Sequence, residues 1–167
     1  MRNALDLHWP MLRRFSADEW PSGTLEQMAA EIILAVSEVR DALPADHTMQ
    51  PSPLFGAHVR ASGNSRHSTK GSMRLSDATD IFMLSWEHAL AAWQEAQRHQ
   101  GIGGIGFYVS KWLGSPNQIT PMLHFDSRPE RLLWVCRKNP TTGSDQYIYL
   151  HSEPALFFKV LGSVLKD

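Results

Sequence analysis

The chain has 167 residues, 43% of them apolar, with a formal net charge of −1. That length suits one compact domain with a real core, and the near-neutral charge gives no basic field for nucleic acid or an anionic membrane. A single cysteine, Cys136, excludes an internal disulfide and any cysteine-cluster metal site.

In chain order, residues 1–14 read as an N-terminal extension and 15–167 as the domain. Residues 1–20 are polar, with no signal-peptide core, so the chain is expected to be made in the cytoplasm. No apolar stretch has the length of a membrane span, and no membrane insertion is expected. Residues 24–43 are predicted as one amphipathic helix. Leu25, Met28, Ala29, Ile32, Val36, Val39 and Leu43 recur at helical spacing, Thr24 and Gln27 resemble a capping box, and Pro44 ends it. Residues 44–70, rich in Pro, Ser, Gly and His, read as a loop with short extended pieces.

Residues 78–84 read as a buried strand, and Ser85 as the cap of a second helix over 86–99. A Gly-led strand follows at 103–109, then a loop over 114–120. Strands are predicted at 122–125, 132–137 and 146–150, and a last helix opens at Pro154. Strands joined by short turns favour an antiparallel sheet. The expected fold is therefore α+β: a single domain with a central, mostly antiparallel sheet flanked by helices.

Three residues stand out chemically. His67 lies in a Ser/Gly/Asn-rich loop, where backbone can approach a ligand. Asp80 lies inside an apolar run, where a carboxylate is costly unless paired or metal-bound. His124 lies in a second apolar run, Met122-Leu123-His124-Phe125. Two imidazoles and a carboxylate suit Zn²⁺ with an open coordination position. Asp77 competes with Asp80 for the ligand role; Asp80 is preferred because its burial needs a reason. The alternative is a structural Asp80 bonded to backbone, Arg60 or Arg66. Asp126 shares a strand face with His124, as a general base or as a carboxylate orienting the imidazole.

The motifs Ser65-Arg66-His67, Ser76-Asp77-Ala78-Thr79-Asp80-Ile81 and His124-Phe125-Asp126 together resemble the M15 peptidases, the D-alanyl-D-alanine carboxypeptidase and murein endopeptidase group. Phe15-Ser16-Ala17-Asp18-Glu19-Trp20, Gly103-Gly104-Ile105-Gly106-Phe107-Tyr108, Arg128 and Trp134 keep that family's order. The resemblance implies that His67, Asp80 and His124 bind Zn²⁺. It also implies that Arg60 binds substrate or stabilises an oxyanion; its alternative is a surface or Asp-paired arginine. Two departures stand out. Arg74 occupies the position, seven residues after His67, where the family places its aspartate, so 69–75 reads as a hairpin insertion. Pro121 stands where many members carry an acidic base, which leaves Asp126 as its replacement.

The implied activity is zinc-dependent hydrolysis of a bacterial cell-wall peptide at a bond involving a D-amino acid. Its setting would be an endolysin released by a holin or a murein hydrolase of a virion, with other phage virion or tail proteins as possible partners. The rival expectations are a virion, tail or peptidoglycan-binding protein with an M15-like fold and little activity, and a domain whose histidines only pack. Trp112 and Tyr108 are candidates for an aromatic wall of the cleft. His58 reads as a loop residue, with a place in the cleft lining as its alternative, and His88 as solvent-facing.

Overall fold

The computed structural model describes residues 2–54, 56–61, 63–69, 74–109 and 120–165. Among these residues, three α-helices and six strands are arranged in an α+β domain: α1 (Ala30–Ala42), β1 (Met49–Pro51), β2 (Ala78–Met83), α2 (Trp86–Arg98), β3 (Gly104–Tyr108), β4 (Met122–Asp126), β5 (Leu132–Lys138), β6 (Asp145–Tyr149) and α3 (Pro154–Val164). The sheet order is β1-β2-β4-β3-β5-β6. Every neighbouring pair is antiparallel except β3 and β5. No helix among the described residues is long and apolar enough to cross a membrane.

Alternation along the strands sorts the side chains onto two faces. Ile81, Met83, Ile105, Phe107, Leu123, Phe125, Val135 and Ile148 face one way and join the buried residues of all three helices in the main core. Phe82, Tyr108, Met122, Trp134 and Cys136 form a smaller cluster on the other face. The helices thus cover one face of the sheet and leave the other for a site. Residues 2–14 belong to this same body: Ala4 and Leu7 are in the main core, and Asn3 bridges Ala29.

The first helix is shorter than its hydrophobic period predicts. Leu25–Gln27 is a 3-10 turn, and the α-helix starts only at Ala30. Between them the backbone is drawn into tertiary pairing. Ala29 N donates to Ser76 O at 2.8 Å, Ser76 N to Gln27 O at 2.8 Å, and Ala4 N to Met28 O at 2.9 Å. Those bonds need an extended Met28 and Ala29, and they outweigh helix propensity. Ser85 does cap α2, accepting from His88 N at 3.1 Å. Residues 70–73 of the expected hairpin insertion lie outside the described residues.

Candidate metal centre

Register places the first two groups. Asp80 of β2 is the direct cross-strand partner of His124 of β4, and both lie on the face away from the helices. His67 comes from the loop ahead of β2, which is tied down by backbone bonds from Arg60 N to His67 O at 2.7 Å and from Thr69 N to Arg60 O at 2.9 Å. All three side chains are buried. His67 Nε2 lies 3.1 Å from His124 Nδ1, His124 Nδ1 lies 2.9 Å from Asp80 Oδ1, and His67 Nε2 lies 3.4 Å from Asp80 Oδ1.

That triangle can hold a metal ion. Zinc–ligand bonds of about 2.0–2.1 Å in a tetrahedron put neighbouring donor atoms about 3.3 Å apart, close to all three observed edges. The donor chemistry also calls for a cation. His124 Nε2 lies 3.0 Å from Asp126 Oδ2, a carboxylate acceptor, so Nε2 carries a proton. In neutral His124 the Nδ1 lone pair then faces the lone pairs of Asp80 across 2.9 Å. Either a second proton or a metal ion relieves that opposition. Burial alone would lower the His124 pKa; the hydrogen bonds to Asp126 and Asp80 outweigh it and raise it to about 9. Burial alone would raise the pKa of Asp80, but the bonds from His124 and His67 hold it well below the usual carboxylate range.

Asp126 lies on the far side of the His124 ring from Asp80. Its oxygens also accept from Arg128, Nε to Oδ1 at 2.7 Å and Nη2 to Oδ2 at 2.5 Å. Burial would raise its pKa, but His124 and Arg128 together hold it well below the usual range. Asp126 is therefore an ionised carboxylate that fixes the tautomer and plane of His124, and both its oxygens are engaged. Of the two roles open from sequence, this geometry fits the orienting one.

The alternating glycines of β3 make this possible. A Cβ on Gly104 would lie 2.3 Å from the Asp126 carboxylate, and one on Gly106 would lie 2.4 Å from the Trp134 ring. Asp126 and Trp134 thus lie flat over β3, which brings the Trp134 ring to 5.1 Å from that of His124. Above them opens a cleft of about 530 Å³, lined by Arg60, His67, His124, Trp134, Tyr147 and Tyr149 among others. Arg60 is anchored through Nε to Gly56 O at 2.8 Å, so its guanidinium stands in the cleft wall.

Asp77, the rival ligand, is not in the group; its carboxylate is bound by Arg66 and by Ser127 Oγ. His58 is buried rather than in the cleft, bonded to Thr79 Oγ1 and Ser52 O at 2.8 Å each. Burial lowers its pKa to about 4 despite the bond to Ser52. Tyr108 lines the cleft, whereas Trp112 lies outside the described residues. Tyr147 and Tyr149 were missed from sequence. Their signal was the alternation of β6, which puts both on the same face as Trp134. Comparison of the chain with protein-family models, with curated proteins and with solved structures finds no significant match.

Proposed function

We propose that the chain is a zinc-dependent peptidase of bacterial cell-wall peptides, an endolysin or virion-associated murein hydrolase of M15 type. The observation that carries this reading is the buried triangle of His67, Asp80 and His124 at the base of an open cleft. The family motifs on those same three residues supply the substrate class.

His67 Nε2, Asp80 Oδ1 and His124 Nδ1 would hold the ion. Zn²⁺ in such a site supplies Lewis acidity toward a peptide carbonyl and toward water. Asp126, clamped by Arg128, keeps His124 in the tautomer whose Nδ1 lone pair points at the group. Arg60, in the cleft wall, would stabilise negative charge developing on the scissile carbonyl oxygen. Trp134 and Tyr149, with ring centroids 6.4 Å apart, form one wall against which a peptide can lie.

A second reading is a peptidoglycan-binding or virion component with little catalysis. It is favoured by two observations: both oxygens of Asp126 are engaged, and position 121 is proline, so neither place supplies a free base. The discriminating experiment incubates purified protein with isolated peptidoglycan and measures new amino groups, with and without added zinc. Zinc-dependent release that is lost in Asp80→Ala supports the peptidase. Sedimentation with the wall without release selects the binding protein.

A further inference from the structure

We infer a second divalent-metal site on the helix side of the sheet, formed by His47, His88 and Asp46 and suited to a borderline ion such as Zn²⁺ or Ni²⁺. His47 and Asp46 sit in the connection between α1 and β1, and His88 sits in the first turn of α2. One ligand atom from each of the three lies within 4.8 Å of the others. The two imidazoles stack with centroids 4.0 Å apart and planes inclined by 22°. Nδ1 of His47 and Nδ1 of His88 are both buried with no hydrogen-bond partner among the described residues. Buried ring nitrogens normally find a partner, and two adjacent orphans on stacked imidazoles are what an absent shared cation would leave.

The backbone around the pair is already fixed. Arg14 Nη1 donates to Leu43 O at 2.8 Å, and Nη2 donates to Ala45 O at 3.0 Å and His47 O at 3.2 Å. These bonds bracket Asp46. His88 N is held by the Ser85 cap. Asp46 is exposed, and one of its carboxylate oxygens lies within 4.8 Å of a ring nitrogen of each histidine. Two imidazoles and one carboxylate select zinc-like ions over calcium or magnesium. An ion here would tie the end of α1 to the start of α2, independently of the cleft.

The test is equilibrium dialysis against Zn²⁺ alone, comparing wild type, the double variant His47→Ala/His88→Ala, and Asp80→Ala. The double variant is expected to lose about one zinc per chain relative to wild type, and that zinc is expected to persist in Asp80→Ala. The imidazole proton resonances of His47 and His88 in the wild-type protein are expected to shift as zinc is added, which does not depend on how the variants fold. Wild-type zinc content in the double variant, or resonances of both rings unmoved at saturating zinc, would overturn the site. The Asp80→Ala arm reads the cleft group separately.

Discussion

Asp80 and His124 are direct partners in the antiparallel β2–β4 ladder, and their side chains meet at 2.9 Å on the face of the sheet opposite α1, α2 and α3. A slip of one residue in that register would send both side chains to opposite faces. Two of the three candidate ligands are thus held by sheet geometry, and only His67 depends on a loop. The row continues through Gly106 to Trp134, whose ring closes one side of the group.

The clamp behind His124 is testable. Asp126→Asn removes the charge that holds the imidazole and is expected to weaken zinc binding about 10- to 100-fold. Arg128→Ala should shift affinity in the same direction by less. Competition against a calibrated chelator measures both, and unchanged affinity in Asp126→Asn would show that the clamp has no part in binding.

Gly106→Ala places a methyl carbon 2.4 Å from the Trp134 indole. The ring must leave β3, at an expected cost of about 1–3 kcal/mol. Denaturant unfolding reads the stability, and tryptophan fluorescence reads the displacement. Wild-type stability with an unmoved spectrum would contradict this packing.

Much of this was legible in the sequence. Short apolar runs marked most of the strands and alternation marked the last, and an aspartate inside Ala78-Thr79-Asp80-Ile81-Phe82 marked a paid-for burial. What could not be read was tertiary. Nothing local says that Ser76 and residues 2–4 will capture the backbone of Met28 to Ala30 and delay α1. The role of Asp126 follows from Gly104 leaving room beneath it and from Arg128 turning back onto it. His47 and His88 belong to separate elements, and only the packing of α2 beside the end of α1 stacks their rings.

His58 sets an acid-side stability window. Its pKa is lowered by burial from 6.5 to about 4. Below about pH 6.5 the unfolded chain binds a proton that the folded chain refuses, so stability falls with falling pH down to about pH 4, at about 1.4 kcal/mol per unit and on the order of 3 kcal/mol in all. His124, whose pKa is raised to about 9, acts in the opposite sense and offsets this slope near pH 6.5; below about pH 5.5 it is protonated in both states and adds none. Unfolding of metal-free protein across the window checks the slope, and His58→Gln should flatten it. An equal slope in the variant would assign the effect elsewhere.

Arg14 joins the N-terminal segment to the end of α1 through the carbonyls of Arg40, Leu43, Pro44, Ala45 and His47. Arg14→Ala is expected to cost about 1–3 kcal/mol. Arg14→Lys should recover only part of it, because an ammonium cannot reproduce the planar fork. Chemical denaturation of the three proteins decides. A lysine variant equal to wild type would make this a charge effect alone.

The most direct measurement is the zinc content of wild type and Asp80→Ala after dialysis against the same zinc buffer, with folding of the variant checked by circular dichroism. The account predicts that the folded variant holds about one zinc fewer per chain. Equal zinc content in two folded proteins would contradict it, because the His67–Asp80–His124 triangle would then not be the site that binds the ion.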